Sequence, residues 1–205
     1  MMRDFPEFFV MRHGETEWNA AGRFQGSLDS PLTARGRAQA VAMGRALATL
    51  GLDRHRWISS PMPRAVLTAD LARGAPPDTT DPRLAEIGMG DWSGLTRADI
   101  DARWPGPADE GLMAFYARVA GGEPLSAVAD RAGAFIASLH GPAVLVTHGI
   151  TSRFLRGAVL GLPPDRLGDL PGGHGIVFRC TPGRVDIAAT VNRLPDDATS
   201  GIAAV

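Results

Sequence analysis

Apolar residues occur in this chain as short runs that stop abruptly at polar and glycine positions. Residues 8–11 form the first run, closed by Arg12-His13-Gly14, and residues 143–146 form another, closed by Thr147-His148-Gly149. Such runs predict buried strands, and Trp57-Ile58-Ser59 predicts a further one. Elsewhere the spacing turns helical. After Thr33, the positions Ala38, Val41, Ala42, Ala46 and Leu47 predict a helix to about residue 50, closed by Gly51. Ser60-Pro61 predicts another helix start, a cap followed by proline in the first turn, carrying Arg64 to about residue 72. Further helices are predicted over 126–139 and 150–160, the second stopped by Gly161. Residues 176–181 and 184–190 predict two strands joined at Pro182-Gly183. Residues 88–123, with many Gly and Pro and scattered Trp92, Trp104, Met113, Phe115 and Tyr116, predict an excursion off the sheet. A mobile tail is expected from about residue 194.

Strands and helices thus alternate, which predicts an α/β fold. In open α/β sheets ligands bind at the carboxyl ends of the strands. His13 and His148, each ending a strand, are therefore predicted to meet at one rim.

Composition narrows the chemistry. With 205 residues, 44% of them hydrophobic, the chain can build one sizeable core, and a single domain with an elaborated loop region is expected. The net charge of -1 gives no support to a nucleic-acid partner or an anionic membrane. All 21 basic residues are arginine, which excludes both a phosphate-loop lysine and a Schiff-base lysine. Arginine suits a phosphate well, since its fork offers two parallel donors. Cys180 is the one cysteine, so an internal disulfide is excluded. Asp186 stands where a cysteine phosphatase would need its arginine, and Cys180 reads as a small core residue. The first ten residues lack the apolar run of a signal peptide, and no stretch has the length of a membrane span. A cytoplasmic location is expected.

Arg12, His13, Arg64, Glu86 and His148 make one chemical set. Phosphoryl transfer spreads negative charge over three equatorial oxygens, and catalysis is mainly positioning and electrostatic stabilisation. Two arginines and a protonated histidine would supply that field, while a second, neutral histidine could attack phosphorus in line. Glu86 could protonate the leaving oxygen and later take a proton from water. Each residue alone has an ordinary reading: a satisfied strand-end histidine, or a solvated arginine on a helix. Two strand-end His-Gly pairs shift that balance. Two histidines and a glutamate could also form a zinc set, but Arg12 adjoins His13 and would oppose a cation.

The blocks that carry these residues resemble those of the histidine phosphatase superfamily, also called the phosphoglycerate mutase-like family. Residues 8–39 read FFVMRHGETEWNAAGRFQGSLDSPLTARGRAQ, and the segments at 59–65, 84–94 and 146–149 resemble the family's later blocks in the same order. The resemblance implies that His13 is phosphorylated, that Arg12, Arg64 and His148 form the phosphate pocket with Asn19 and Gly149, and that Glu86 is the proton donor. It places Gln25 and Gly26 near the substrate, and it implies no metal and no organic cofactor. Its fold is three-layer α/β/α, with a mostly parallel central sheet and a small helical excursion over the carboxyl ends of the strands.

His55, His140 and His174 match no catalytic block, and Glu15 reads as orienting or structural. A phosphatase is favoured over a phosphoglycerate mutase, because the excursion offers only the separated Arg97, Arg103 and Arg118 for a substrate carboxylate. A non-catalytic phospho-ligand-binding protein is the third reading. The expected partner is a small phosphorylated metabolite, with no nucleic acid and no membrane, and the reading admits a homodimer. At least half of the excursion's large residues are expected to form its own small core, and the others could line an apolar mouth.

Overall fold

The computed structural model describes residues 4–191. The expected tail lies outside the described residues. In chain order the elements are β1 (Phe8–Arg12), α1 (Glu17–Ala20), α2 (Ala34–Ala48), β2 (Arg56–Ser59), α3 (Pro63–Arg73), β3 (Thr79–Thr80), α4 (Arg97–Arg103), α5 (Leu112–Ala117), α6 (Leu125–Ala137), β4 (Ala143–Thr147), α7 (Gly149–Leu160), β5 (Ile176–Thr181) and β6 (Arg184–Thr190). Single 3-10 turns occur at Pro82–Leu84, Gly90–Trp92 and Pro164–Asp169.

The sheet order is β3-β2-β4-β1-β5-β6. The pairings among β3, β2, β4 and β1 are parallel, and β5 and β6 join antiparallel at one edge. Side chains alternate along each strand, so β1 feeds two cores. Phe8 and Val10 pack with Leu145, Phe178 and the apolar faces of α6 and α7. Phe9 and Met11 pack with Trp57, Val144, Val146 and with Met43, Leu47, Ala65 and Ala69 of α2 and α3. Helices therefore cover both faces, the three-layer arrangement expected.

The hairpin β5–β6 falls where Pro182-Gly183 predicted it. The start of α3 does not fall where Ser60-Pro61 predicted it. The helix begins at Pro63 with Met62 as its N-cap, because the Ser60 hydroxyl is engaged elsewhere. Cys180 is fully buried, and burial pushes its thiol up to about 12, in keeping with a core residue.

The excursion leaves and returns at one point. Glu123 N–H donates to the Gly88 carbonyl at 2.9 Å, and the Glu123 carboxylate accepts from Gly88 N–H at 3.2 Å. Between these ends it has its own small core, with Trp92 4.9 Å from Phe115 between ring centroids. Trp92, Met113 and Phe115 are buried there, in keeping with the expectation that at least half of the excursion's large residues form core. Burial, then the nearby Glu86, raise the Tyr116 phenol, with Arg12 and Arg153 opposing, and its ring packs 5.5 Å from that of Phe115.

Candidate active site

The register of β1 on β4 sets Arg12 opposite Thr147. The next residues, His13 and His148, therefore emerge side by side. His13 N–H donates to the Thr147 carbonyl at 2.9 Å, and the two imidazole centroids are 5.1 Å apart. Ser60, just past β2, joins the same rim by donating its N–H to the Val146 carbonyl at 2.9 Å.

His13 is buried, and its Nδ1 lies 2.7 Å from the Gly14 carbonyl oxygen. A carbonyl only accepts, so Nδ1 carries the proton and Nε2 bears a lone pair. Arg64 Nε donates to that Nε2 at 3.3 Å. Burial first, then Arg12 and Arg64, hold His13 well below the ordinary imidazole range. The loop behind it is closely packed. A Cβ on Gly14 would lie 2.2 Å from the carbonyl oxygen of Gly36, and one on Gly36 would lie 2.0 Å from that of Glu15.

His148 is fully buried, with Nε2 2.7 Å from Ser60 Oγ. That hydroxyl already accepts from Met62 N–H at 3.3 Å. We assign the hydroxyl proton to the His148 Nε2 contact, the tautomer that carries the imidazole proton on Nδ1. Nδ1 is buried with no hydrogen-bond partner among the described residues, as is Arg12 Nε. Buried donors of this kind are rare, and they fit an anion. Burial first, then His13 and the nearby arginines, hold His148 well below the ordinary range. Both shifts favour the neutral imidazole.

Two expected results follow from these rings. Ser60→Ala leaves the His148 tautomer unset, and about a tenfold fall in kcat/KM on an aryl phosphate is expected. Nitrogen NMR of the imidazoles checks it; an unchanged His148 tautomer would count against the assignment. The second concerns pH. The folded-state values of His13 and His148 are lowered, so below about pH 6.5 the unfolded chain binds protons that the folded chain does not. Stability is expected to fall as pH drops through that window, by up to about 1.4 kcal/mol per pH unit for each ring. Thermal melts from about pH 7.5 down to about pH 5.5 test this, and a rise in melting temperature on acidification would contradict it.

Arg64 is buried and fully committed. Its Nη1 donates to the Leu28 carbonyl at 2.7 Å and to Asp29 Oδ1 at 2.9 Å, and its Nη2 donates to the Gly26 carbonyl at 3.0 Å. Gly26, expected near substrate, thus acts through its carbonyl in holding Arg64. Glu86 faces the start of α7. Its Oε1 accepts from Thr151 N–H and Ile87 N–H, each at 3.1 Å, and its Oε2 accepts from Ile150 N–H at 3.2 Å. These N–H groups at the start of α7 fix the position of the carboxyl group. A Cβ on Gly149 would lie 3.5 Å from Arg12 Cζ and 3.6 Å from Glu86 Oε2. That glycine keeps the space between them free of side chain.

Asn19 and Gln25 meet through Thr16. Gln25 Nε2 donates to Thr16 Oγ1 at 2.7 Å, and Thr16 Oγ1 donates to Asn19 Oδ1 at 3.0 Å. Glu15 accepts from the Thr33 hydroxyl at 2.9 Å, joining the loop to the start of α2, so its role here is structural.

The family profile of the histidine phosphatase superfamily (branch 1) matches residues 8–190. The chain belongs to the histidine phosphatase superfamily. A relative from Mycolicibacterium vanbaalenii, a glucosyl-3-phosphoglycerate phosphatase, is 37% identical over 76% of this chain and 75% of its own length. A probable phosphoglycerate mutase GpmB from Salmonella paratyphi B is 38% identical over 77% of this chain and 76% of its own. Among solved structures, the mycobacterial glucosyl-3-phosphoglycerate phosphatase complexed with VO3 superposes with a TM-score of 0.76 at 33% identity, over 91% of this chain and all of that one.

In this member of the histidine phosphatase superfamily, three residues at the rim carry more than their sequence suggested. Ser60 read as a helix cap, and Asp29 had no signal beyond its place in a polar loop. His174 was set aside, yet its ring centroid is 5.8 Å from that of His13. His55 pairs with Glu7 instead, at 3.4 Å.

Proposed function

We propose that the chain is a phosphomonoester hydrolase that works through a phosphohistidine at His13. The observation that carries this reading is the His13 Nε2 lone pair, set by the Gly14 carbonyl and faced by Arg64. His13 Nε2 attacks phosphorus, the bond to the leaving oxygen breaks, and Glu86 gives that oxygen a proton. Glu86, now a carboxylate, takes a proton from water as the water oxygen attacks the phosphoryl group, and His13 regains its lone pair. Arg12, His148 through Nδ1–H, Asn19 and Gly149 hold the equatorial oxygens, Arg64 supplies a fixed positive charge beside them, and Gln25 and Gly26 support the set. No metal or organic cofactor enters these steps.

The substrate class is a small phosphorylated metabolite, consistent with the similarity to a glucosyl-3-phosphoglycerate phosphatase. The mutase reading has support from the GpmB relatives. Hydrolysis is favoured by the excursion's arginines. Arg97 Nε donates to Asp101 at 2.8 Å, and Arg118 Nη2 donates to Glu110 at 2.9 Å, so both are engaged within the excursion. This reading includes action in the cytoplasm, with no nucleic acid or membrane partner, and sedimentation decides between monomer and homodimer. Among the described residues no helix is long and apolar enough to cross a membrane.

A phosphate-release screen across phosphomonoesters, run beside a 3-phosphoglycerate mutase assay, tests the reading. Hydrolysis with an acid-labile, base-stable phosphoenzyme supports it; transfer to phosphoglycerate without net release favours the mutase, and activity on nothing favours a binding protein. For Glu86→Gln, a loss of about 10^3-fold is expected on alkyl phosphates and about tenfold on p-nitrophenyl phosphate. Equal losses on both would mark Glu86 as structural. The variant also places an amide NH2 against N–H donors of α7, so its melting temperature is read alongside.

A further inference from the structure

His174 stands outside every block that carries the proposed chemistry, yet it arrives at the centre of the site. The loop that brings it is tightly built. Arg153 Nη1, on α7, donates to the carbonyls of Leu167, Gly168 and Leu170, which fixes the path after the helix. Gly173 and Gly175, on either side of His174, have φ of +119° and +72°, a region that side-chain-bearing residues seldom adopt. The Gly175 carbonyl then accepts from Val191 N–H at 2.8 Å, tying the turn to the end of β6. His13 thus lies within ring contact of two imidazoles, at 5.1 Å from His148 and 5.8 Å from His174.

The other contact of His174 is polar. Its Nε2 lies 3.2 Å from Asn19 Oδ1. That oxygen also accepts from Thr16 N–H at 3.2 Å and from the Thr16 hydroxyl at 3.0 Å. The backbone donor settles which end of the amide is oxygen. It follows that His174 Nε2 carries a proton and donates. With three donors on the oxygen, the NH2 end of Asn19 is left for another acceptor.

Thr16 and His174 do different work on Asn19. Thr16 caps the same short helix, so it moves with Asn19. No residue of α1 is fully buried, so the helix is weakly anchored by packing. Its other backbone ties, Glu17 N–H to Pro31 and Trp18 N–H to Ser30, lead to the loop before α2. His174 reaches Asn19 from the opposite side, from the segment between α7 and β5.

We infer that His174 is a positioning residue of the phosphate site, which acts by tethering the Asn19 carboxamide so that its NH2 end is presented to the phosphoryl group. The inference rests on the reading of Asn19 as a phosphate-binding residue. The charged and titratable groups around His174 are Arg12, His13 and Arg35, and with burial as the largest cause they hold its ring well below the ordinary range. The tether holds in the neutral ring, because the neutral tautomer required by Asn19 is the one with the proton on Nε2.

The test is a double-mutant cycle. His174→Phe keeps an aromatic ring beside His13 and removes the donor; Asn19→Ala removes the acceptor. His174→Phe is expected to raise KM for p-nitrophenyl phosphate and weaken orthovanadate binding by about tenfold, with a smaller effect on kcat. In the Asn19→Ala background the same change is expected to have no further effect. His174→Gln, whose amide can donate, is expected to restore most of the loss. Losses that multiply in the double variant, or a His174→Phe protein with unchanged KM and vanadate affinity, overturn the inference. Melting temperatures accompany each variant, and if His174→Phe does not fold, His174→Leu replaces it in the cycle. Orthovanadate binding by calorimetry answers the question even if the wild type hydrolyses no ester, so a failed functional reading and a failed tether give different results.

Discussion

His13→Ala is expected to reduce phosphomonoester turnover by at least about 10^4-fold while the protein stays folded. The variant removes the proposed attacking atom and little else. The backbone N–H of His13 still reaches the Thr147 carbonyl, so β1 and β4 keep their register. Arg12, Arg64 and His148, the proposed anion site, remain in place. Orthovanadate should therefore bind the variant measurably, although it cannot bond to Nε2, and rapid quench with labelled substrate should trap no phosphoenzyme. One compensating effect favours folding: a buried neutral imidazole is lost, and with it part of the acid sensitivity attributed to that ring. Retention of more than about 1% of wild-type turnover would be incompatible with a nucleophilic role.

Arg64→Ala should act on both catalysis and fold. Five groups lose the guanidinium at once: His13 Nε2, the carbonyls of Gly26 and Leu28, the Asp29 carboxylate and Met62 Sδ. Loss of a fixed charge beside the transferring group is expected to lower kcat/KM by about 10^3-fold. Leaving carbonyls without partners at a buried site is expected to cost roughly 2 kcal/mol of stability. Burial lowers the Arg64 value, with Asp29 and Glu86 opposing, and the guanidinium stays charged. Arg64→Lys separates the two effects. A lysine brings back the charge but lacks the planar fork that reaches Gly26, Leu28 and His13 together. It should recover stability more than activity. Recovery of full activity by lysine would show that charge alone matters.

The parts of the fold that were legible in the chain are those where burial and chain punctuation coincide. β1 and β4 are continuous apolar runs because both faces of each strand are covered by helices, and each ends at the rim in a polar residue and a glycine. The meeting of His13 and His148 followed from that alone. The start of α3 was misplaced because serine before proline has two uses, and here the hydroxyl serves His148. The helices α4 and α5 were hidden by their shortness and by the glycines and prolines around them, although Thr96 and Asp99 form a capping box that marks the first. Asp29 and His174 were beyond reach for a different reason. Each matters through a partner distant in sequence, Arg64 in one case and Asn19 in the other, and local pattern carries no trace of such pairs. The aromatic residues of the excursion were ambiguous because a small core and an apolar mouth need the same side chains.

The packing of Gly14 against Gly36 has a consequence for how substitutions in this protein would be interpreted. In a selection for phosphatase activity, every variant at position 36 should score like a variant of the active site, although Gly36 lies in the first turn of α2 and carries no reactive group. Intolerance there would report a distance of closest approach between two backbone segments. The two positions should also fail to rescue each other, since enlarging either one meets main-chain atoms that no compensating side chain can move.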